Sequence, residues 1–394
     1  MLFFTMLFFT LLAASMALPA VMAAPNPLLF VEKYDGPTTG NHIIQLKNGT
    51  SPREFLKSIG RDPANFVLWP YFDSFAGSFL PEFLIALRGS DVVEKICEEG
   101  VMSILGTNVT QTDAPWGLQR ISQKAKLSNT STSALTYKYT YDSSAGEGVD
   151  AYIVDTGINT AHVDFGGRAV WGKTFGGYLN ADGNGHGTHC AGIAGGRQRG
   201  VAKSVKLIAV KVLSDSGSGA ISDIVSGLNW VMDEARSSGR PSVVNLSLGG
   251  SFSCAMDKAV ASLTKTGVHV VVAAGNSNED AVLTSPANSP SAITVGATTI
   301  ADKRASYSNY GRAVDIFAPG SNITSNWIGN TTAVKSLSGT SMATPHVAGL
   351  VAYLIKRDGN ISPAAMRTRL QNSSVKNAIS GIPPGTVNYL ANNS

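Results

Sequence analysis

Five short apolar runs, at residues 151–154, 207–213, 243–248, 269–274 and 292–295, constrain this chain more than any other feature. Runs of this length suit strands buried on both faces, as in parallel sheets. Between them lie helical patterns at 221–235 and 256–265, the second followed by Gly267 as a stop signal. The alternation predicts an α/β fold, a doubly wound and mostly parallel sheet with helices on both faces. Such sheets bind ligands outside the carboxyl ends of their strands. Asp155, residues 247–250 and Asn276 follow those ends, so they are the first to weigh for chemistry.

Residues 338–349 read Ser-Gly-Thr-Ser-Met-Ala-Thr-Pro-His-Val-Ala-Gly, ahead of an apolar helical stretch at 347–355. Backbone N–H groups at a helix start favour negative charge developing beside Ser341. Alone, Ser341 is also what an ordinary capping serine looks like. A serine nucleophile needs a base to take its proton and a carboxylate to orient that base. Asp155, at the tip of an apolar run, suits the carboxylate, and His186, opening a glycine-rich helix in Asn-Gly-His-Gly-Thr-His-Cys-Ala-Gly, suits the base. Asn276, after Val-Val-Ala-Ala-Gly, is placed to donate its amide N–H to an oxyanion. A lone Asp or Asn at a strand end is more often a turn residue. The four in the order Asp, His, Asn, Ser are far more specific than any one.

On these motifs the chain resembles the secreted subtilisin-like serine endopeptidases of the proteinase K branch, as found in fungi, from about residue 113 to 388. The resemblance implies Asp155 as orienting acid, His186 as general base, Ser341 as nucleophile and Asn276 as oxyanion donor. It makes Ser247, Leu248, Gly249 and Gly250, with Ala273, Ala274 and Gly275, the walls of a roomy, uncharged primary pocket. Gly217, Ser218 and Gly219 become an edge strand pairing with extended substrate; by themselves they also read as a surface turn. Ile221 stands where relatives often carry an aromatic residue. The expected activity is broad endopeptidase cleavage after large apolar or aromatic residues of protein and peptide substrates.

Residues 1–23 form the one membrane-like segment, read as a secretory signal peptide although no Lys or Arg lies near its start. The alternative is a transmembrane anchor of marginal length. From 24 to 108 the texture changes: strand-like stretches at 41–46 and 66–72, helical ones at 51–59 and 92–98, then an apolar run at 101–105. This small α+β unit resembles the family's pro-segment, which assists folding and inhibits until cleaved, with residues 105–108 as a substrate-like tail. The protease domain is then 109–394, acting as a monomer outside the cell, or alternatively in a vacuole. With 15% charged residues and a net charge of +4, and no Lys/Arg run, nucleic-acid binding is not expected.

Three cysteines are too few for a disulfide scaffold. Cys97 falls in the segment expected to be removed, and Ile293 occupies a position where the resembled branch often carries a disulfide. Cys190 lies one helical turn after His186, either as an inert buried thiol or as a place where a mercurial would displace the imidazole. His186 and His189 are three apart, yet no HExxH-type glutamate or third ligand supports zinc. The resemblance implies one structural calcium on Asp315 and the carbonyls of Pro290 and Ala292, hard oxygen ligands suited to that ion. A second family site is lost because Ala378 replaces its carboxylate. His162, His269 and His346 read as structural. Sequons occur at Asn48, Asn108, Asn129, Asn245, Asn322, Asn330, Asn360, Asn372 and Asn392. A catalytically silent homologue remains the alternative from another function class.

Overall fold

All five apolar runs become strands of one sheet. The computed structural model describes residues 28–34, 38–101 and 108–394; the leader at 1–23 and residues 105–107 of the expected tail lie outside these. The chain divides into two units, Met1–Gly100 and Val101–Ser394.

In the second unit the central sheet contains β1 (Asp150–Asp155), β2 (Ala169–Thr174), β3 (Lys206–Lys211), β4 (Ser242–Leu246), β5 (His269–Ala273), β6 (Ile293–Thr298), β7 (Ile316–Pro319), β8 (Val375–Lys376) and β9 (Tyr389–Leu390). Their spatial order is β8-β9-β7-β6-β5-β4-β1-β3-β2. Every neighbouring pair is parallel except β8 and β9. The chain leaves β1 towards β2 and β3 on one side and returns to β4 on the other. That reversal opens a crevice at the carboxyl ends of β1 and β4, the place such sheets reserve for ligands.

Four helices matter for the site: α1 (His186–Gly195), α2 (Ile221–Ser238), α3 (Cys254–Lys265) and α4 (Thr340–Asp358). Strand alternation sorts them onto two faces. Ala151 and Ile153 of β1 join α1 and α4 in one apolar cluster. Tyr152 and Val154 join α2 and α3 in the other. β1 is therefore buried on both sides, which is why its sequence shows a continuous apolar run. α4 passes close to α1 because residue 349 is glycine: a Cβ there would lie 2.7 Å from Val201 Cβ and 2.8 Å from the Ala194 carbonyl oxygen.

The first unit is a five-stranded sheet in the order Val31–Glu32, Val93–Gly100, Thr38–Leu46, Ser74–Gly77, Val67–Trp69. Helices Pro52–Ser58 and Pro81–Arg88 complete it, the first capped by Ser51 as its sequence suggests. The expected helix at 92–98 is instead the strand Val93–Gly100. The spacing of Val93 and Ile96 imitates a helix because a bulge opposite Gln45 and Leu46 puts residues three apart on the same face. Strand Ser74–Gly77 and helix Pro81–Arg88 escaped the sequence reading, and the 66–72 stretch supplies only Val67–Trp69 before a 3-10 turn at Pro70–Phe72.

A glycine-to-alanine change inside a helix ordinarily stabilises it by about 1 kcal/mol. At Gly349 the sign should reverse, with Gly349→Ala losing about 1–3 kcal/mol through overpacking. Thermal melts in a Ser341→Ala background, which removes self-digestion, check this; an unchanged or raised Tm would show that α1 and α4 can part.

Candidate active site

Asp155 is the last residue of β1 and is fully buried. Its Oδ1 accepts a hydrogen bond from the Thr156 N–H at 2.7 Å, and both carboxylate oxygens accept from His186 Nδ1, at 2.8 and 2.9 Å. The imidazole reaches so far because the first turn of α1 abuts the tip of β1. A Cβ on Gly187 would fall 2.2 Å from the Gly157 carbonyl oxygen and 3.2 Å from Asp155 Cβ, so only glycine permits the approach. The loop before α1 is organised by Asp182, which the sequence reading did not single out. Its carboxylate accepts from the N–H groups of Asn184, Gly185 and Thr188 at 2.8–3.1 Å and from the Thr156 and Thr188 hydroxyls. Its signal in the sequence was an acidic residue just ahead of a helix start.

Ser341 is the second residue of α4, so its N–H has no partner within the helix. Its Oγ donates to the Ser247 carbonyl at 3.1 Å. Asn276 is oriented by Thr340, a second residue missed in the sequence. Thr340 is fully buried and gives both its N–H and its hydroxyl to Asn276 Oδ1, at 2.8 and 2.9 Å. The same hydroxyl accepts from the Gly275 N–H at 3.2 Å. With Oδ1 engaged, Asn276 Nδ2 is the free donor. A Cβ built on Gly339 would lie 3.5 Å from Nδ2 and 3.6 Å from the Ser341 nitrogen, so both donors face one region beside the nucleophile. Such a pair suits a developing oxyanion.

Burial pulls the His186 pKa down, but the charge and hydrogen bond of Asp155, with Cys190 alongside, outweigh it and hold the group well above the usual imidazole range. The imidazole keeps 26% of its surface exposed, so burial acts on it only in part. Burial pushes the Cys190 thiol up, which keeps it protonated. Its Sγ lies 4.0 Å from His186 Nδ1 and donates to the Ser341 carbonyl at 3.4 Å. The other histidines are engaged elsewhere. His189 Nε2 donates to the Ile323 and Lys335 carbonyls, and burial drops its pKa to about 3. His346 bonds the Met342 carbonyl and falls to about 4 through burial.

Two cavities flank this centre. One, of about 540 Å³, is lined by Gly217, Ser218 and Gly219 on one wall and Ser247, Leu248, Gly249 and Gly250 on the other. Ile221, Ile224, Phe252 and Met256 add apolar surface to it, of which the sequence reading had noted only Ile221. Residues 217–219 belong to no strand; Gly217, with φ +83°, donates to the Ser214 carbonyl and closes a turn from which 218–219 continue along the cavity wall. The second cavity, of about 450 Å³, is lined by Leu248, Ala273, Gly275, Asn276, Glu279, Leu283 and Ser341 among others. Ala274 is not on its wall. It is fully buried behind it, its carbonyl accepting from Asn309 Nδ2 at 2.9 Å.

The expected calcium ligands meet a competitor. Arg367 Nη1 donates to the Pro290 carbonyl at 2.6 Å and lies 4.0 Å from Asp315 Oδ1. Asp315 Oδ2 accepts from the Thr294 N–H at 2.9 Å, and burial raises its pKa to about 6. Calcium needs free hard oxygens, and here the guanidinium occupies the Pro290 carbonyl.

Residues 146–388 match the family model described as Subtilase family. Similar curated proteins include the cuticle-degrading protease of Metarhizium anisopliae, 46% identical over 391 residues and 98% of each chain. The alkaline serine protease ver112 of Corniculantispora psalliotae is 44% identical over 96% of each chain. Proteinase R of Parengyodontium album is 42% identical over 96% of this chain and 95% of its own. Among solved structures, a cold-adapted subtilisin-like serine proteinase superposes with a TM-score of 0.65 at 45% identity, covering 72% of this chain and 99% of that one. The chain belongs to the subtilase family and is a subtilisin-like serine protease of the proteinase K branch.

Proposed function

We propose that this protease is an endopeptidase of broad specificity, working through an acyl-enzyme and favouring large apolar or aromatic residues before the scissile bond. The observation that carries the reading is the roomy cavity beside Ser341, walled by Leu248, Ala273 and Leu283. Ser341 Oγ turns from the Ser247 carbonyl towards His186 and attacks the amide carbonyl as His186 takes its proton. Asp155 holds the imidazole tautomer and stabilises the imidazolium. Asn276 Nδ2 and the Ser341 N–H receive the oxyanion; His186 then protonates the leaving amine, and water releases the acyl group by the reverse sequence. Residues 217–219, along the cleft, hold extended substrate.

In this reading the chain is a secreted zymogen in which 24–108 is inhibitor and folding aid, and the mature monomer begins near Val109. The sheet built within residues 31–100 supports this, as does the pairing of Asn108–Ala114 with Tyr137–Asp142 inside the second unit. Among the described residues no helix is long and apolar enough to cross a membrane. Glycan on exposed sequons fits a secreted chain; Asn245 and Asn392 are buried and unsuited to it, while the other seven are exposed.

A fluorophosphonate should label Ser341 in the processed enzyme. Ser341→Ala should abolish labelling and lose about 10⁶-fold in kcat. A Ser341→Ala protein that still cut its own pro-segment would contradict the assignment. The raised His186 pKa has a definite consequence. The base works only when neutral, so kcat/KM should fall with acidification along a limb lying above the free-imidazole value of about 6.5. Asp155→Asn should move that limb to lower pH and cost about 10⁴-fold in kcat. A wild-type limb at or below pH 6.5 would show that the carboxylate does not govern the base.

We further propose that Arg367 takes the place of the metal expected at Asp315. Adding calcium or chelator should then leave the wild-type Tm nearly unmoved. Arg367→Ala should gain a rise of about 5 °C at saturating calcium, and the rise should vanish when Asp315→Asn is added. A calcium-dependent Tm in the wild type, abolished by Asp315→Asn, would overturn this.

A further inference from the structure

The cavity beside Ser341 is not the uncharged pocket expected from the sequence, because Glu279 lies on its wall as the one charged residue among those lining it. Its backbone is pinned. The Glu279 N–H donates to Asn309 Oδ1 at 3.1 Å, and its carbonyl accepts from the Tyr310 N–H at 3.0 Å. Asn309, fully buried, also accepts from the Ser277 N–H and donates to the Ala274 carbonyl, so residues 274–279 form a firm wall. The Glu279 carboxylate itself has no hydrogen bond or ion pair among the described residues. Arg304, whose Nη2 bonds Asn278 Oδ1 at 2.9 Å, turns Nε to the Gly381 carbonyl and Nη1 to the Ala305 and Ser308 carbonyls.

A half-buried, unpaired carboxylate loses hydration when a substrate side chain closes the pocket. An apolar side chain gives nothing in return, an acidic one adds repulsion, and a cation offsets the loss. Lys and Arg are shaped for both parts of this cavity, with an aliphatic stem to lie along Leu248, Ala273 and Leu283 and a charged head to meet the carboxylate.

We propose that Glu279 is a specificity-determining residue of the primary pocket, admitting Lys and Arg alongside apolar residues before the scissile bond and rejecting Asp and Glu. The proposal rests on the serine endopeptidase reading of this cavity. Four peptides differing only at that position, with Phe, Leu, Lys or Glu, test both. In the wild type the Lys peptide should be cut at least tenfold faster in kcat/KM than the Glu peptide, an advantage that shrinks with added salt. Glu279→Gln should lower the Lys-to-Phe ratio about tenfold and raise the Glu-to-Phe ratio, and Glu279→Lys should invert the Lys-to-Glu order. Fluorophosphonate labelling of Ser341 shows that each variant is folded. Ratios unmoved in a labelled variant, or a Glu peptide cut as fast as the Lys peptide in the wild type, overturn the proposal. Slow cleavage of the Phe and Leu peptides beside fast cleavage of the Lys peptide would instead sink the apolar preference and leave the role of Glu279 standing.

Discussion

The abutment of α1 on the tip of β1 is the constraint from which the site follows. A carboxylate ending a strand buried on both faces has almost no water, and an unpaired charge there is costly. Asp155 is tolerable because the Thr156 N–H and the His186 imidazole supply donors at hydrogen-bonding distance. The imidazole is within reach only because residue 187 has no side chain to hold the helix away. The carboxylate that orients the base also sets its proton affinity, so positioning and electrostatics are one contact seen from its two ends.

The second constraint is the crevice made by the strand order. β4 ends beside β1 and β5 beside β4, all parallel, which brings residues 247–250 and Asn276 to the same rim without any long loop. α4 then enters with its first turn against that rim. Thr340 clamps Asn276, and Ser247 contacts Ser341 at both its hydroxyl and its carbonyl. Fixing these groups on strand ends and a helix start, rather than on free loops, lowers the reorganisation needed at the moment of reaction.

Much of this was legible in the sequence, and what was not has specific causes. The parallel strands showed as apolar runs because both of their faces are covered. Asp155, His186, Asn276 and Ser341 stood out because each sits next to an apolar element in a glycine-rich frame. Thr340 and Asp182 did not, since a small polar residue near a helix start reads as a cap, and here each is a cap that also aims a neighbour. Val93–Gly100 was misread because a bulge breaks the two-residue period by which a strand is recognised. The resemblance gives the whole run 273–275 as a wall, but Ala274 is fully buried, with its carbonyl held by Asn309. Glu279 lies outside any motif, two residues, Ser277 and Asn278, past Asn276. Only the folding of that segment under Asn309 brings it to the cavity.

One detail of the free site is compatible with the same electrostatics. Ser341 Oγ gives its proton to the Ser247 carbonyl instead of to His186. An imidazole whose pKa is held high carries a proton on both nitrogens over a wider pH range than a free one, and in that state Nε2 has no lone pair to accept with. The serine hydroxyl must then find another acceptor, and the carbonyl at the end of β4 is at hand. As the imidazole loses its proton, Nε2 becomes an acceptor and the hydroxyl has reason to turn.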